Sequence, residues 1–114
     1  MLKSLLLSAA ITLSVTPVSE AHSYNVCFQW DSIEPCVSMP LEMAMVAPAV
    51  IQCESNWDKN AIGWAGERGL LQIHPIHMNT MYERGLNFFE ERDRLAYAIE
   101  MWEYAGWGPW SCKP

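Results

Sequence analysis

The chain has 114 residues and a formal net charge of −6, from 7 basic and 13 acidic side chains. That is one small domain's worth of chain. Its acidity argues against nucleic acid as a partner and against attraction to anionic surfaces through bulk charge, since both depend on Lys and Arg.

Residues 1–21 read as an export leader. Lys3 gives a positive start, "LLLSAAITLSV" is an apolar run of leader length, and Ser19-Glu20-Ala21 fits the small-x-small rule for cleavage before His22. The run is too short for a spanning helix, and no Cys follows the cut to carry a lipid. The expectation is a periplasmic or extracellular protein without a stable membrane anchor. Lys3 and Glu20 leave together, so the charge stays at −6.

All 4 cysteines, Cys27, Cys36, Cys53 and Cys112, follow the leader. An even count in a short exported chain reads as disulfides. Three pairings are open, and spacing favours a local Cys27–Cys36 loop with a long-range Cys53–Cys112 bridge. The long bridge would contribute roughly 2–4 kcal/mol to a core that is marginal at this size. No C-x-x-C pair is present, which argues against zinc.

Residues 22–39 mix Cys, Trp, Pro and polar residues and read as a stapled N-terminal segment without a convincing alternating strand. The domain proper spans 40–114. Pro40 can open a helix, and Pro48 must kink that helix or start a second one. Beyond it Val50, Ile51 and Glu54 share a face by i+3 and i+4 spacing, so Glu54 ends an apolar stripe. Residues 58–69 form a turn-rich connection punctuated by Gly63, Gly66 and Gly69. The apolar start at Leu70 is interrupted by Pro75 and resumes as a short helix to Gly85. The clearest helix follows, with Asn87 and Glu90 in capping-box spacing. Its stripe is Leu95, Ala98, Ile99, Trp102 and Ala105, and Gly106 stops it. "WGPWSC" is an aromatic tail. The fold class is all-α: mainly helical, with room for a small α+β element.

The reactive inventory is thin. Ser55 has no adjacent His. His74 and His77 are separated by Pro75 and make a poor metal pair. Met39, Met43 and Met45 read as core filler. No Gly-rich phosphate loop follows a strand, and neither cofactor nor metal is implied. What remains is Glu54, an acid on an apolar face, with flat surfaces on Trp30, Trp57, Trp64, Trp102, Trp107 and Trp110 that suit sugar rings. Burial raises a carboxyl's pKa, and a Glu poised that way can protonate a leaving oxygen. The pattern points to glycoside cleavage; from these residues alone, an ordinary helical Glu remains open.

"ESNWDKNAIGWAGERGLLQIHPIH" resembles the catalytic segment of soluble lytic transglycosylases and goose-type lysozymes. The shared features are Glu54-Ser55, a Gly-bearing loop with Gly66 and Gly69, then Gly69-Leu70-Leu71-Gln72-Ile73 and Pro75. "QCESNW" with a terminal "GWGPWSC" is similar to the cysteine-bearing version in resuscitation-promoting factors, secreted wall-cleaving proteins of the same fold. The match covers residues 46–112. The resemblance implies a lysozyme-like, single disulfide-stapled domain with a Cys53–Cys112 bridge. It implies Glu54 as the catalytic acid/base, Gln72 lining the cleft and Tyr97 facing it. Ser55 and Trp64 are further candidate substrate contacts. Two positions depart from the pattern: Glu90, Arg92 or Asp93 stands where an asparagine is often found upstream of Tyr97, and Leu71 replaces the frequent methionine before Gln72.

The expected substrate is peptidoglycan, cut at the β-1,4 bond between N-acetylmuramic acid and N-acetylglucosamine by a single Glu, with formation of a 1,6-anhydro ring. Two alternatives stay open at this point: a lysozyme that uses water, and a non-catalytic module that grips glycan or secretion machinery. Domains of this kind serve wall remodelling, secretion or conjugation assemblies, or phage infection and release, and the sequence does not choose among them.

Overall fold

The computed structural model describes residues 23–27, as backbone, and residues 36–114. The expected leader at 1–21, most of the 22–39 segment and the side chain of Cys27 lie outside the described residues. Trp30 does too.

The N-terminal segment holds a two-stranded antiparallel sheet, which the sequence reading did not expect. Strands β1 (Ser23–Cys27) and β2 (Cys36–Pro40) pair in register, Cys27 opposite Cys36 and Ser23 opposite Pro40. In β2, Val37 and Met39 are buried while Cys36 and Ser38 are exposed, the period-2 alternation of a half-buried strand. Cys36 is disulfide-bonded.

Helix α1 (Leu41–Ser55) follows at once, with Pro40 as its N-cap. Pro48 lies inside a single helix rather than dividing it into two. It sits on the exposed side, where solvent can satisfy the carbonyl that its missing N–H leaves unbonded. Met43, Ala47, Val50 and Ile51 form the buried face. Met45, expected in the core, is 72% exposed, because it falls two residues from Met43 on the far side of the helix.

Asn56 (φ 54°) and Trp57 (φ 66°) reverse the chain after α1. Residues 58–73 then fold on themselves through two isolated bridges, Ile62 with Arg68 and Arg68 with Ile73. This delivers Leu70, Leu71 and Ile73 to the core. A 3-10 turn (Pro75–His77) leads into α2 (Met78–Glu83). The Ile76 N–H inside that turn donates to the His74 ring Nδ1 at 3.0 Å.

Helix α3 spans Glu91–Ala105 with Glu90 as its N-cap, and so begins three residues later than the capping-box reading placed it. Asn87 does not cap it. Its side chain accepts from the Phe89 N–H at 2.9 Å and its own N–H donates to Asp93 Oδ2 at 2.8 Å, so Asn87 builds a turn before the helix. Gly106 stops the helix as expected, at φ 61° with its N–H on the Trp102 carbonyl at 2.7 Å. The buried face carries Arg94 and Tyr97 beside Leu95 and Ala98, whereas Ala105 is exposed. Strand β2, α1, the 70–73 loop and α3 enclose one core around Met39, Met43, Ile51, Leu71, Met81 and Leu95.

Candidate active site

Glu54 is the penultimate residue of α1. Its neighbours fix its direction. Val50, Ile51 and Ser55 are buried, Cys53 is exposed, and Glu54 is half-buried between them. Cys53 is bonded to Cys112, bringing the C-terminus against the end of α1. Consecutive helical side chains diverge by about 100°, so Cys53 can hold the bridge while Glu54 meets the tail from the side. The Cys112 main-chain N–H donates to Glu54 Oε2 at 3.1 Å. Ser55, expected to contact substrate, is 8% exposed and donates its hydroxyl to the Ile51 carbonyl at 3.1 Å. It thus serves the helix end.

The tail that meets Glu54 is itself fixed. Trp110 is buried and its indole Nε1 donates to the Leu71 carbonyl at 2.8 Å. Its ring packs edge-on against Trp107 at 5.1 Å between centroids, and Trp107 packs likewise on Trp102 at 6.4 Å. A turn bond from the Trp110 N–H to the Trp107 carbonyl at 3.1 Å closes the segment.

Gln72 stands beside Leu71 at φ 49°, a left-handed conformation uncommon for a residue with a Cβ. Its Nε2 donates to the carbonyls of Gly69 (2.9 Å) and Ala61 (3.2 Å), so its amide nitrogen ties the loop together. Its Oε1 lies over Gly63. A Cβ at position 63 would come within 2.6 Å of that oxygen and 2.5 Å of Glu67 Oε1, which explains the glycine. Main-chain N–H groups, its own and that of Ala65 at 2.9 Å, hold the Glu67 carboxyl below the usual range.

A buried ion pair braces this loop against α3. Arg94 Nη2 meets Glu91 Oε1 at 2.7 Å, with side-chain exposures of 7% and 10%. Arg94 also donates to the carbonyls of Phe88 (2.7 Å) and Lys59 (3.4 Å), and Glu91 Oε2 accepts from the Leu70 N–H at 3.4 Å. Burial pushes the Glu91 carboxyl above its ordinary range, and Arg94 opposes that shift. Gly69, at φ 88°, lets the loop come this close: a Cβ there would run into Glu91 Oε1 and Arg94 Nε.

Tyr97 is 6% exposed and lines a groove of about 710 Å³ with His77, Arg84, Glu100, Met101, Tyr104, Ala105 and Pro109. Its hydroxyl lies 3.1 Å from His77 Nδ1 and the two rings pack at 5.2 Å. Burial, and then the charge of His74, hold the His77 imidazole below its ordinary pKa. Arg84 and Glu100 pair at 2.5 Å on the groove wall. Trp64 projects fully into solvent.

The structure thus joins the end of α1, the 69–72 loop and the C-terminal turn. That turn touches both places of interest, through Pro109 in the Tyr97 groove and Cys112 on Glu54. Glu54 is not among the residues lining the groove. Sequence reasoning weighed His77 only as a poor metal pair with His74 and missed its contact with Tyr97, the Cys112 amide and the Glu91–Arg94 brace. The i,i+3 spacing of Glu91 and Arg94 was a usable signal for the last; nothing local announces the other two. Among the described residues no group of three or more His, Cys, Asp or Glu side chains could hold a metal ion.

Residues 38–101, more than half of the chain, match the family model described as Transglycosylase SLT domain. No curated protein and no solved structure matches the chain.

Proposed function

Because the chain belongs to the transglycosylase SLT domain family, we propose that it is an exported lytic transglycosylase that cuts peptidoglycan with Glu54 as its acid/base. The observation that carries this reading is the setting of Glu54. It is a half-buried carboxyl at the end of an otherwise apolar helical face, with one oxygen held by a main-chain N–H.

The protonated carboxyl gives its proton to the oxygen of the β-1,4 bond between N-acetylmuramic acid and N-acetylglucosamine. The C–O bond breaks and positive charge develops at C1 of the muramic acid. The carboxylate then takes the proton of that sugar's own 6-hydroxyl as its oxygen attacks C1, closing a 1,6-anhydro ring without water. A hydrolase of the two-carboxylate kind needs a second acid about 5 Å or more away. The acids nearest in sequence lie in the loop that follows, where Asp58 accepts from the Asn60 N–H at 2.8 Å and Glu67 from that of Ala65 at 2.9 Å. A single acid suits the transglycosylase route, and the family match supports that route over the lysozyme alternative. The leader read at residues 1–21 supports export, and the exposed aromatic faces of Trp64 and Tyr104 suit a glycan strand.

A zymogram on peptidoglycan tests the proposal. Clearing by the wild-type protein and none by a folded Glu54→Gln protein is expected. No clearing by the wild type would leave a glycan-binding module instead.

A further inference from the structure

We infer that the main-chain N–H of Cys112 is the positioning group for the Glu54 carboxyl, and that the Cys53–Cys112 bridge exists at this point of the fold to deliver it. The inference rests on the reading of Glu54 as the acid/base.

The geometry carries it. Cys112 and Glu54 are 58 residues apart in the chain, yet the amide donates to Oε2 at 3.1 Å. A glutamate side chain has three rotatable bonds, and at a helix end little else restrains it. Here the donor is main chain, anchored on both sides. Two residues before it, Trp110 is buried with its indole on the Leu71 carbonyl. At the donor residue itself, the side chain is bonded to Cys53, the neighbour of Glu54 on the same helical turn. One covalent bond therefore fixes the distance between the helix that carries the acid and the amide that holds it.

The contact also decides which oxygen works. An N–H can only donate, so the oxygen facing it must accept. In the acid form the carbonyl oxygen is the better acceptor, so the contact favours Oε2 as the carbonyl and places the proton on Oε1. Proton donation to the leaving oxygen, and the later withdrawal of the hydroxyl proton, both run through Oε1. The amide stays with Oε2 through both half-reactions and needs no rearrangement between them. Cys112 touches no substrate on this account; it acts through Glu54.

Two measurements test this. In an amide NMR titration of isotope-labelled, oxidised protein, the Cys112 proton should move downfield as carboxyl groups ionise, and in the Glu54→Gln protein that movement should vanish. A Cys112 amide indifferent to pH, or one that moves equally in Glu54→Gln, would overturn the inference. The second measurement is steady-state kinetics of a Cys53→Ala/Cys112→Ala protein. It keeps Glu54 and the amide but loses the tether, so kcat should fall about tenfold, the loss of one hydrogen bond to a charged group, with KM changed less than about twofold. An unchanged kcat, or a loss seen in KM alone, would refute it. Should the double variant not fold, the NMR result on intact protein decides alone. A Glu54→Gln protein that still cuts glycan removes the premise. An inactive Glu54→Gln protein with a pH-indifferent Cys112 amide removes only this inference.

Discussion

The indole Nε1 of Trp110 donates to the main-chain carbonyl of Leu71 at 2.8 Å, tying the C-terminal turn to the loop that carries Gln72. Both residues are buried, so neither group has water as a substitute. Replacing Trp110 by Phe keeps most of the apolar burial and orphans the Leu71 carbonyl. It should lower stability by about 1–3 kcal/mol in urea denaturation. Trp110→Ala adds a cavity and should cost about 3–5 kcal/mol. A Trp110→Phe protein as stable as the wild type would show that the hydrogen bond contributes nothing.

Arg94 and Glu91 form the second brace between loop and helix. Removing one member leaves a buried charge without its partner, so Glu91→Ala and Arg94→Ala should each destabilise by about 3–5 kcal/mol. The double variant should be less unstable than the two losses summed, and a double-mutant cycle measures that difference. Strict additivity would mean that the pair is not coupled.

Gly69→Ala should destabilise strongly for two independent reasons. The residue lies at φ 88°, and its Cβ would collide with the Glu91 and Arg94 side chains. Overpacking with backbone strain costs about 1–3 kcal/mol or more. Gly85→Ala is the control, also at positive φ (76°) but with nothing near its Cβ. Thermal unfolding should rank Gly69→Ala well below Gly85→Ala.

The His77–Tyr97 contact predicts a pH effect on stability. Burial holds the folded pKa of His77 below the ordinary 6.5. The unfolded chain therefore binds its proton first as pH falls. The stabilisation is present above about pH 6.5 and is lost as pH drops through the lower folded value. Glu91 has the opposite sign: its pKa is raised from 4.5, so its share is present below that value and is lost as pH rises through the raised one. Replacing His77 by Gln should flatten the fall in Tm below pH 6.5. An unchanged slope would exclude His77 as its source.

How much of this was legible depended on how local the cause was. The Cys53–Cys112 bridge and the family were legible because the even cysteine count and the Glu54-Ser55 and Gly69–Ile73 pieces are specific when taken together at this spacing. The stop at Gly106 was local. The β1–β2 sheet escaped notice because β2 shows only two alternating apolar residues, Val37 and Met39, before Pro40 ends it. Asn87 carried the right spacing for a cap, yet Asp93 takes its N–H and holds the chain in a turn. The burial of Arg94 has no local sign, because one of its acceptors, the Lys59 carbonyl, lies 35 residues away. The Cys112 amide has no side-chain signature at all, since any residue supplies an N–H.

In the proposed reaction one carboxyl, that of Glu54, breaks the glycosidic bond and closes the anhydro ring. Mass spectrometry of peptidoglycan digested by the purified protein tests it most directly, with Glu54→Gln run beside it at matched Tm. 1,6-Anhydro-muramyl products are expected from the wild type and none from Glu54→Gln. Products with reducing ends, or anhydro products from a folded Glu54→Gln protein, would contradict it.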